Sequence, residues 1–284
     1  MKEKIITAVN FHLTKACNMK CTYCFARFNK VNQKLTIPQQ KQIIKRLFDF
    51  GFTKINFVGG EPFLLPQLAE LIKYSKNLGF YTSVVTNGSL LTEQFIKNTK
   101  KHLDMIGISI DSLNTKTNSN IGRKFNGIIP DKEFYFEKCM LIKDNGITLK
   151  INTVVSNKNL NEDFSDFISK IKPERWKLFQ VLGIEEENNI EYFKISKTEF
   201  INFAEYHTSI KEFLIAEDND IIRGSYVMID PEGKFFDNIK GKYTLSKPIL
   251  EVGVEQALNE INFDYTKFLK RNGDYYNDLV TKLK

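Results

Sequence analysis

The chain has 284 residues, of which 42% are hydrophobic and 26% charged, the proportions of an ordinary globular protein rather than a disordered or fibrous one. That length gives room for one large domain or two small ones around a substantial core, and no apolar run is long enough to cross a bilayer. The net charge of +7 is spread over the chain without a polybasic block, which suits an anionic ligand better than a nucleic-acid-binding arm.

The opening stretch, "MKEKIITAVNFHLTKAC", alternates like a strand and shows neither a signal peptide nor an amphipathic anchor, so a cytoplasmic, membrane-free protein is expected. From about residue 5 to 181, β-rich runs alternate with helical ones. The strands are "ITAVNFHLT", "KINFVG", "YTSVVTN", "DMIGISID", "TLKINTVV" and "RWKLFQVL". Between them lie helix-like runs such as "PQQKQIIKRLFDFG" and "LPQLAELIKYSKNLG", several ending at the glycine that commonly terminates a helix. Alternating units of this kind imply parallel strands with right-handed crossovers. Six of them predict an α/β fold, a partial (βα)6 TIM-like barrel over residues 1–182.

Alternation within the strands says what the barrel holds. A strand buried on both sides should be almost continuously apolar, yet Val9, Phe11 and Leu13 oppose Asn10, His12 and Thr14, and Ile55 and Phe57 oppose Lys54 and Asn56. Ile108 and Ile110 oppose Ser109 and Asp111, Ile151 and Thr153 oppose Lys150 and Asn152, and Trp176 and Leu178 oppose Arg175 and Lys177. One face therefore packs on helices and the other lines a polar lumen; a solvated antiparallel sheet is the alternative. After residue 182 the pattern changes: "GIEEENNIEYFKISKTEFINFAEYH" is acidic and then helical, and "SYVMIDPEGKFFD" reads as a hairpin about Pro-Glu-Gly. Residues 183–284 are expected to form a C-terminal extension closing over the lumen.

The chemistry concentrates in "KACNMKCTYCFARF". Cys17, Cys21 and Cys24 lie within eight residues, and only Cys139, in a helix-like stretch, remains. A reducing compartment favours a metal or catalytic role for such a cluster over a disulfide. Three thiolates are one more than a disulfide uses and one fewer than most closed zinc sites, although His12 could complete a zinc site. Alternatively they ligate three irons of a 4Fe-4S cluster and leave the fourth open.

CxxxCxxC just after the first strand, with "GGEP" after the second, resembles the radical S-adenosylmethionine (SAM) enzymes. "VTNGSLL", "SIDS", "NIGR", "RWKLFQVL", "SYVMID", "ILEVGVEQAL" and "FLKRNG", in order from about residue 8 to 273, narrow the resemblance to the viperin family of radical SAM antiviral enzymes in a prokaryotic form. The resemblance implies a dehydratase that converts a ribonucleoside triphosphate (CTP, UTP or GTP) to its 3′-deoxy-3′,4′-didehydro analogue, an RNA chain terminator in antiphage defence. It implies that Cys17, Cys21 and Cys24 hold the cluster, and that Tyr23, Gly59, Gly60, Glu61, Asn87, Ser89, Ser109, Arg123 and Asn152 hold SAM, with Glu61 accepting from its ammonium. Asn10, Lys54, Asn56, Lys150, Arg175, Lys177 and Lys242 would bind the nucleotide, and Tyr226 would assist catalysis near the ribose.

A monomer served by a reductase or a flavodoxin- or ferredoxin-type electron donor is also expected. Three departures stand out. Val58 replaces the Ser that animal members carry before GGEP, their amphipathic N-terminal helix is not seen, and the tail "GDYYNDLVTKLK" lacks their Trp-containing end, which could alter nucleotide choice. A radical SAM enzyme acting on a peptide or another small molecule, and a non-enzymatic metal-binding protein, are the competing readings.

Overall fold

The computed structural model describes residues 7–274, and the last ten residues of the tail lie outside them. Ten strands form one sheet in the order β10-β9-β8-β1-β2-β3-β4-β5-β6-β7. The strands are β1 (Ala8–His12), β2 (Lys54–Val58), β3 (Tyr81–Thr86), β4 (Met105–Ser109), β5 (Thr148–Val155), β6 (Arg175–Gln180), β7 (Leu214–Glu217), β8 (Met228–Ile229), β9 (Lys234–Asp237) and β10 (Thr244–Pro248). From β1 to β7 every neighbouring pair is parallel, which removes the antiparallel alternative. The six expected strands form the continuous centre of a curved, open wall.

The chain beyond residue 182 adds strands at both edges of that wall. β7 pairs with β6, while β8 pairs in parallel with β1 and turns back into β9 through the expected hairpin. Local signals account for the helices between strands. Ile37–Phe50 begins at a Thr36/Gln39 capping box and stops at Gly51, whose φ of 113° suits a residue without Cβ; Leu68–Leu78 stops in the same way at Gly79.

β5 shows how the lumen is made. Its exposure alternates residue by residue, with Leu149, Ile151, Thr153 and Val155 buried against helices and Lys150, Asn152 and Val154 turned to the cavity. Gly107 of β4 lies opposite Lys150, and a Cβ there would come within 3.0 Å of Lys150 Cε. The glycine gives the lysine its space. Behind the sheet, Trp176 is fully buried against Phe164 and His207, and its Nε1 donates to Thr153 Oγ1 at 2.9 Å.

Trp176→Phe removes that bond and part of the ring from a site remote from the lumen, so we expect a loss of about 1–3 kcal/mol. Urea denaturation should show it as a lower midpoint while the polar lumen is left intact; an unchanged midpoint would deny the Trp176–Thr153 contact its structural role.

Candidate active site

One cavity of about 330 Å³ runs through the wall from the carboxyl ends of the strands towards their amino ends. Cys17, Cys21 and Cys24, in the loop after β1, line its mouth, and Lys54, Lys150 and Lys177 line it deeper. Asn10, Asn56, Val58, Gly59, Gly60, Asn87, Ser109, Asn152, Tyr226 and Arg271 lie on the same surface.

The mouth is held by close backbone contacts. A Cβ on Gly59 would sit 2.6 Å from the Thr14 carbonyl oxygen, and one on Gly60 would sit 2.2 Å from that of Ala16. The two glycines thus let the GGEP turn meet the segment leading into Cys17. On the other side, Gly122 of "NIGR" has φ +84°, and a Cβ there would lie 2.3 Å from the Lys20 carbonyl oxygen. Lys20 N donates to Gly122 O at 3.2 Å and Thr22 N to Ile121 O at 3.1 Å, stitching that turn onto the cysteine loop.

Asp111 is the hub beneath. Its Oδ2 accepts from Tyr23 Oη and from Arg123 Nη1, both at 2.6 Å, and its Oδ1 accepts from Val154 N at 2.8 Å. Arg123 also donates to the Ser109 carbonyl at 2.5 Å and comes within 3.9 Å of Cys21 Sγ. All three thiols are free. Burial pushes Cys21 up to about 12 against the pull of Arg123, and raises Cys17 and Cys24 as well. Thiols in this state take up charge when a cation joins them.

His12 Nδ1 donates to the Ile229 carbonyl at 3.0 Å, and burial lowers it to about 4, so the ring is neutral. Among the described residues no three His, Cys, Asp or Glu side chains are grouped for a single metal ion. The donors do suit a polynuclear cluster with an organic partner: three thiols share one cavity mouth, and Asn152 Oδ1 is a buried acceptor with no hydrogen-bond partner among the described residues.

Several expected residues sit behind the cavity wall or off it. Glu61 is completely buried and absent from the cavity wall; its Oε1 accepts from Phe63 N and Thr86 Oγ1 at 3.1 and 2.7 Å, and its Oε2 from Asn87 N at 2.8 Å. It braces the GGEP turn from behind. Ser89 is likewise off the wall, and its Oγ accepts from Asn18 Nδ2 in the cysteine loop at 2.8 Å. Asn87 does reach the wall, yet its side chain also braces Asn18, at 3.0 Å. Lys242 is exposed in the turn between β9 and β10, away from the cavity, because the hairpin points its tip at solvent. Arg175 sits below the lumen at the start of β6, donating to the Asn272 carbonyl at 3.2 Å. Its charge is nevertheless felt by Lys54 and Lys150.

Asn10 and Asn56 form a ladder across three strands: Asn56 Nδ2 donates to Asn10 Oδ1 at 2.9 Å, and Ser83 Oγ donates to Asn56 Oδ1 at 2.8 Å. Three residues that motif reading passed over complete the deep end. Arg271 of "FLKRNG" stacks its guanidinium 3.7 Å from the centre of the Tyr226 ring, held by two bonds to the Ser225 carbonyl. Glu217 of β7 is fully buried, pairs with Lys177 and accepts from Tyr226 Oη at 2.5 Å. Gly107, described above, is the third.

Like charges in a buried place set the electrostatics. Burial, together with Lys150, Arg175, Lys177 and Arg271, drives Lys54 well below its ordinary range. Burial and Arg175 lower Lys150 to about 8, and burial lowers Lys177 to about 7 in spite of Glu217. The folded chain therefore binds fewer protons than the unfolded one between these values and the ordinary lysine range, and stability rises with pH across that window.

Between about pH 7 and 9 the denaturation midpoint of nucleotide-free protein should climb more steeply in the wild type than in Lys150→Met, by on the order of 1 kcal/mol. Parallel curves would mean that Lys150 keeps an ordinary protonation in the fold.

Residues 11–171 match the model of the radical SAM superfamily. An S-adenosylmethionine-dependent nucleotide dehydratase of Flammeovirga pacifica is 46% identical over 279 residues, which span 95% of this chain and 96% of that protein. The S-adenosylmethionine-dependent nucleotide dehydratase RSAD2 of Oncorhynchus mykiss is 36% identical over 95% of this chain and 80% of its own. Among solved structures, Streptococcus suis SuiB bound to precursor peptide SuiA superposes with a TM-score of 0.68 at 16% identity, over 82% of this chain and 59% of that one. That last likeness concerns the fold alone.

Proposed function

This chain belongs to the radical SAM superfamily and, within it, to the viperin family of S-adenosylmethionine-dependent nucleotide dehydratases, and we propose that it dehydrates a ribonucleoside triphosphate to the 3′-deoxy-3′,4′-didehydro analogue. The observation that carries this reading is the union, in one cavity, of three free thiols at the mouth with lysines converging from β2, β5 and β6 below them. CTP, UTP and GTP are the candidate substrates, and the product would act as an RNA chain terminator in antiphage defence.

Cys17, Cys21 and Cys24 would hold three irons of a 4Fe-4S cluster. Gly59, Gly60, Ser109 and Asn152, on the wall between thiols and lysines, would hold SAM. Tyr23 and Arg123 would act through Asp111, and Glu61, Asn87 and Ser89 by bracing the loops. Together the bound cluster and SAM supply a carbon-centred radical able to take a hydrogen atom from ribose. The protein's own contribution is position and charge. Lys54, Lys150 and Lys177 face a polyanion in the buried lumen, where its charge and theirs relieve one another. Asn10 and Asn56 offer amide groups at the level of the sugar, and Tyr226 stands beside them on the wall.

Residues 183–274 serve as the closure of this site, a role supported by Ile222, Tyr226, Asn238 and Arg271 on the cavity wall. The electron comes from a reductase or a flavodoxin- or ferredoxin-type protein. Residues 15–34, which carry Lys15, Lys20, Arg27, Lys30 and Lys34 and no carboxylate, offer an acidic donor a favourable approach to the thiols. Four free cysteines suit a reducing cytoplasm, and no helix among the described residues is long and apolar enough to cross a membrane. We take the working form to be a monomer. A peptide-modifying reading is disfavoured by Cys139, the only other cysteine, which is fully buried in the core and leaves nothing to build a second cluster.

The deciding assay incubates reconstituted, reduced protein with SAM and each of CTP, UTP, GTP and ATP. At least one should yield a didehydro product together with 5′-deoxyadenosine; nucleotide-independent cleavage with all four would refute the proposal. Cys21→Ala should lose iron and all SAM cleavage. Lys150→Ala should weaken triphosphate binding roughly tenfold to a hundredfold, the size of one charge-assisted contact.

A further inference from the structure

Lys177 is not placed like the other lumen lysines. Its Nζ donates to Tyr226 Oη at 2.8 Å and pairs with Glu217, while the Tyr226 hydroxyl donates to Glu217 Oε2 at 2.5 Å. The three groups close a triangle, with Lys177 and Tyr226 on the wall and Glu217 buried behind them, and the Arg271 guanidinium lies on the Tyr226 ring. Glu217 is the one carboxylate among the described residues that bears on Lys177, against Arg271 and Lys150 of like charge, with the Phe179 ring 5.1 Å from Nζ. Burial opposes its charge, but Lys177 and Arg271 outweigh burial and keep it ionised. A carboxylate in a polyanion site is a liability for binding. Its retention there needs another reason.

We propose that Glu217 is a positioning residue for proton delivery, orienting Lys177 and Tyr226 against one another so that the pair can protonate the hydroxyl expelled from the substrate. The inference rests on the dehydratase reading. Once C4′ has lost its hydrogen atom, the C3′–O bond breaks and the C3′–C4′ double bond forms. One electron, from the one-electron donor protein, and one proton convert the departing hydroxyl to water. The proton comes from Tyr226 Oη, which takes a replacement from the Lys177 ammonium it already accepts from; Lys177 then recovers one from solvent. Tyr226 rests protonated, since burial, with Glu217 beside it, holds its hydroxyl well above the ordinary range.

Glu217→Gln keeps the shape and removes the charge. In that variant the affinity for CTP, measured by calorimetry on the reconstituted protein, should stay within about threefold of wild type or tighten. SAM cleavage should continue while didehydro product per 5′-deoxyadenosine falls at least about tenfold near pH 7.5, recovering in part towards pH 6 as Lys177 regains its proton. Glu217→Asp should restore much of the coupling. Tyr226→Phe, which leaves the ring under Arg271, should uncouple in the same way and serves if Glu217→Gln does not fold.

Wild-type coupling at every pH in both Glu217→Gln and Tyr226→Phe would overturn the relay, as would a loss confined to CTP affinity. Absence of product from wild-type protein run alongside would instead overturn the dehydratase reading.

Discussion

Mutual repulsion of buried cations in one lumen is the constraint around which this molecule is built. Lys54, Lys150 and Lys177 project from neighbouring parts of one sheet, with Arg175 and Arg271 close by and Glu217 bearing on Lys150 and Lys177. Burying even one unpaired ammonium costs several kcal/mol. The fold answers with aromatic faces, Tyr81 at 5.0 Å from Lys54 and Tyr226 at 3.7 Å from Arg271, and with a thick apolar shell outside the strands. The remaining strain is useful, because a polyanion relieves it and water does so poorly. A site of this kind is paid for during folding and repaid on binding.

The opposite end of the cavity is organised by hydrogen bonds rather than by charge. Asp111 gathers Tyr23, Arg123 and a β5 amide, while Glu61 ties the GGEP turn to Thr86 and Asn87. Glycines at 59, 60 and 122 allow backbone to touch backbone on both flanks of the cysteine loop. A loop fixed this closely presents its thiols with little conformational entropy left to lose when metal arrives. The two ends thus use different physics for one purpose: groups are held in place before the ligand comes.

Much of this was legible because period two survives in the strands. Lys54, Lys150, Asn152 and Lys177 fall on the lumen face by alternation alone, and the thiol spacing marks the mouth. Alternation could not say how deep a side chain lies along its strand: Arg175 shares the face of Lys177 but begins β6, off the cavity lining. Motif position also fails to tell a ligand from a brace. Glu61 and Ser89 have the expected neighbours in sequence, and the fold adds backbone and side-chain donors to their oxygens behind the cavity wall. Glu217 and Arg271 went unseen for a complementary reason. They come from a short edge strand and a short C-terminal helix end; Tyr226 lies nine residues from Glu217, but the Ser225 carbonyl lies 46 from Arg271. Their signal, a lone Glu in "LIAED" and an Arg in "FLKRNG", acquires meaning once β7 and the residues before β8 meet over β6.

The parallel pairing of β1 with β8 has a consequence for how the chain is made. Phe11 pairs with Ile229, and His12 bonds to the same residue across 217 positions of sequence. During synthesis β1 can gain its β2 neighbour early, but its other edge stays bare until most of the polypeptide has left the ribosome. That edge belongs to the strand leading straight into the thiols. A nascent chain would therefore carry a sticky β-edge and an oxidisable cysteine loop together, and iron insertion before the C-terminal third arrives would occur on a half-framed loop. Assembly of the metal centre and completion of the sheet are in this way coupled by topology, which makes translation and chaperoning as relevant to obtaining active protein as the chemistry of its site.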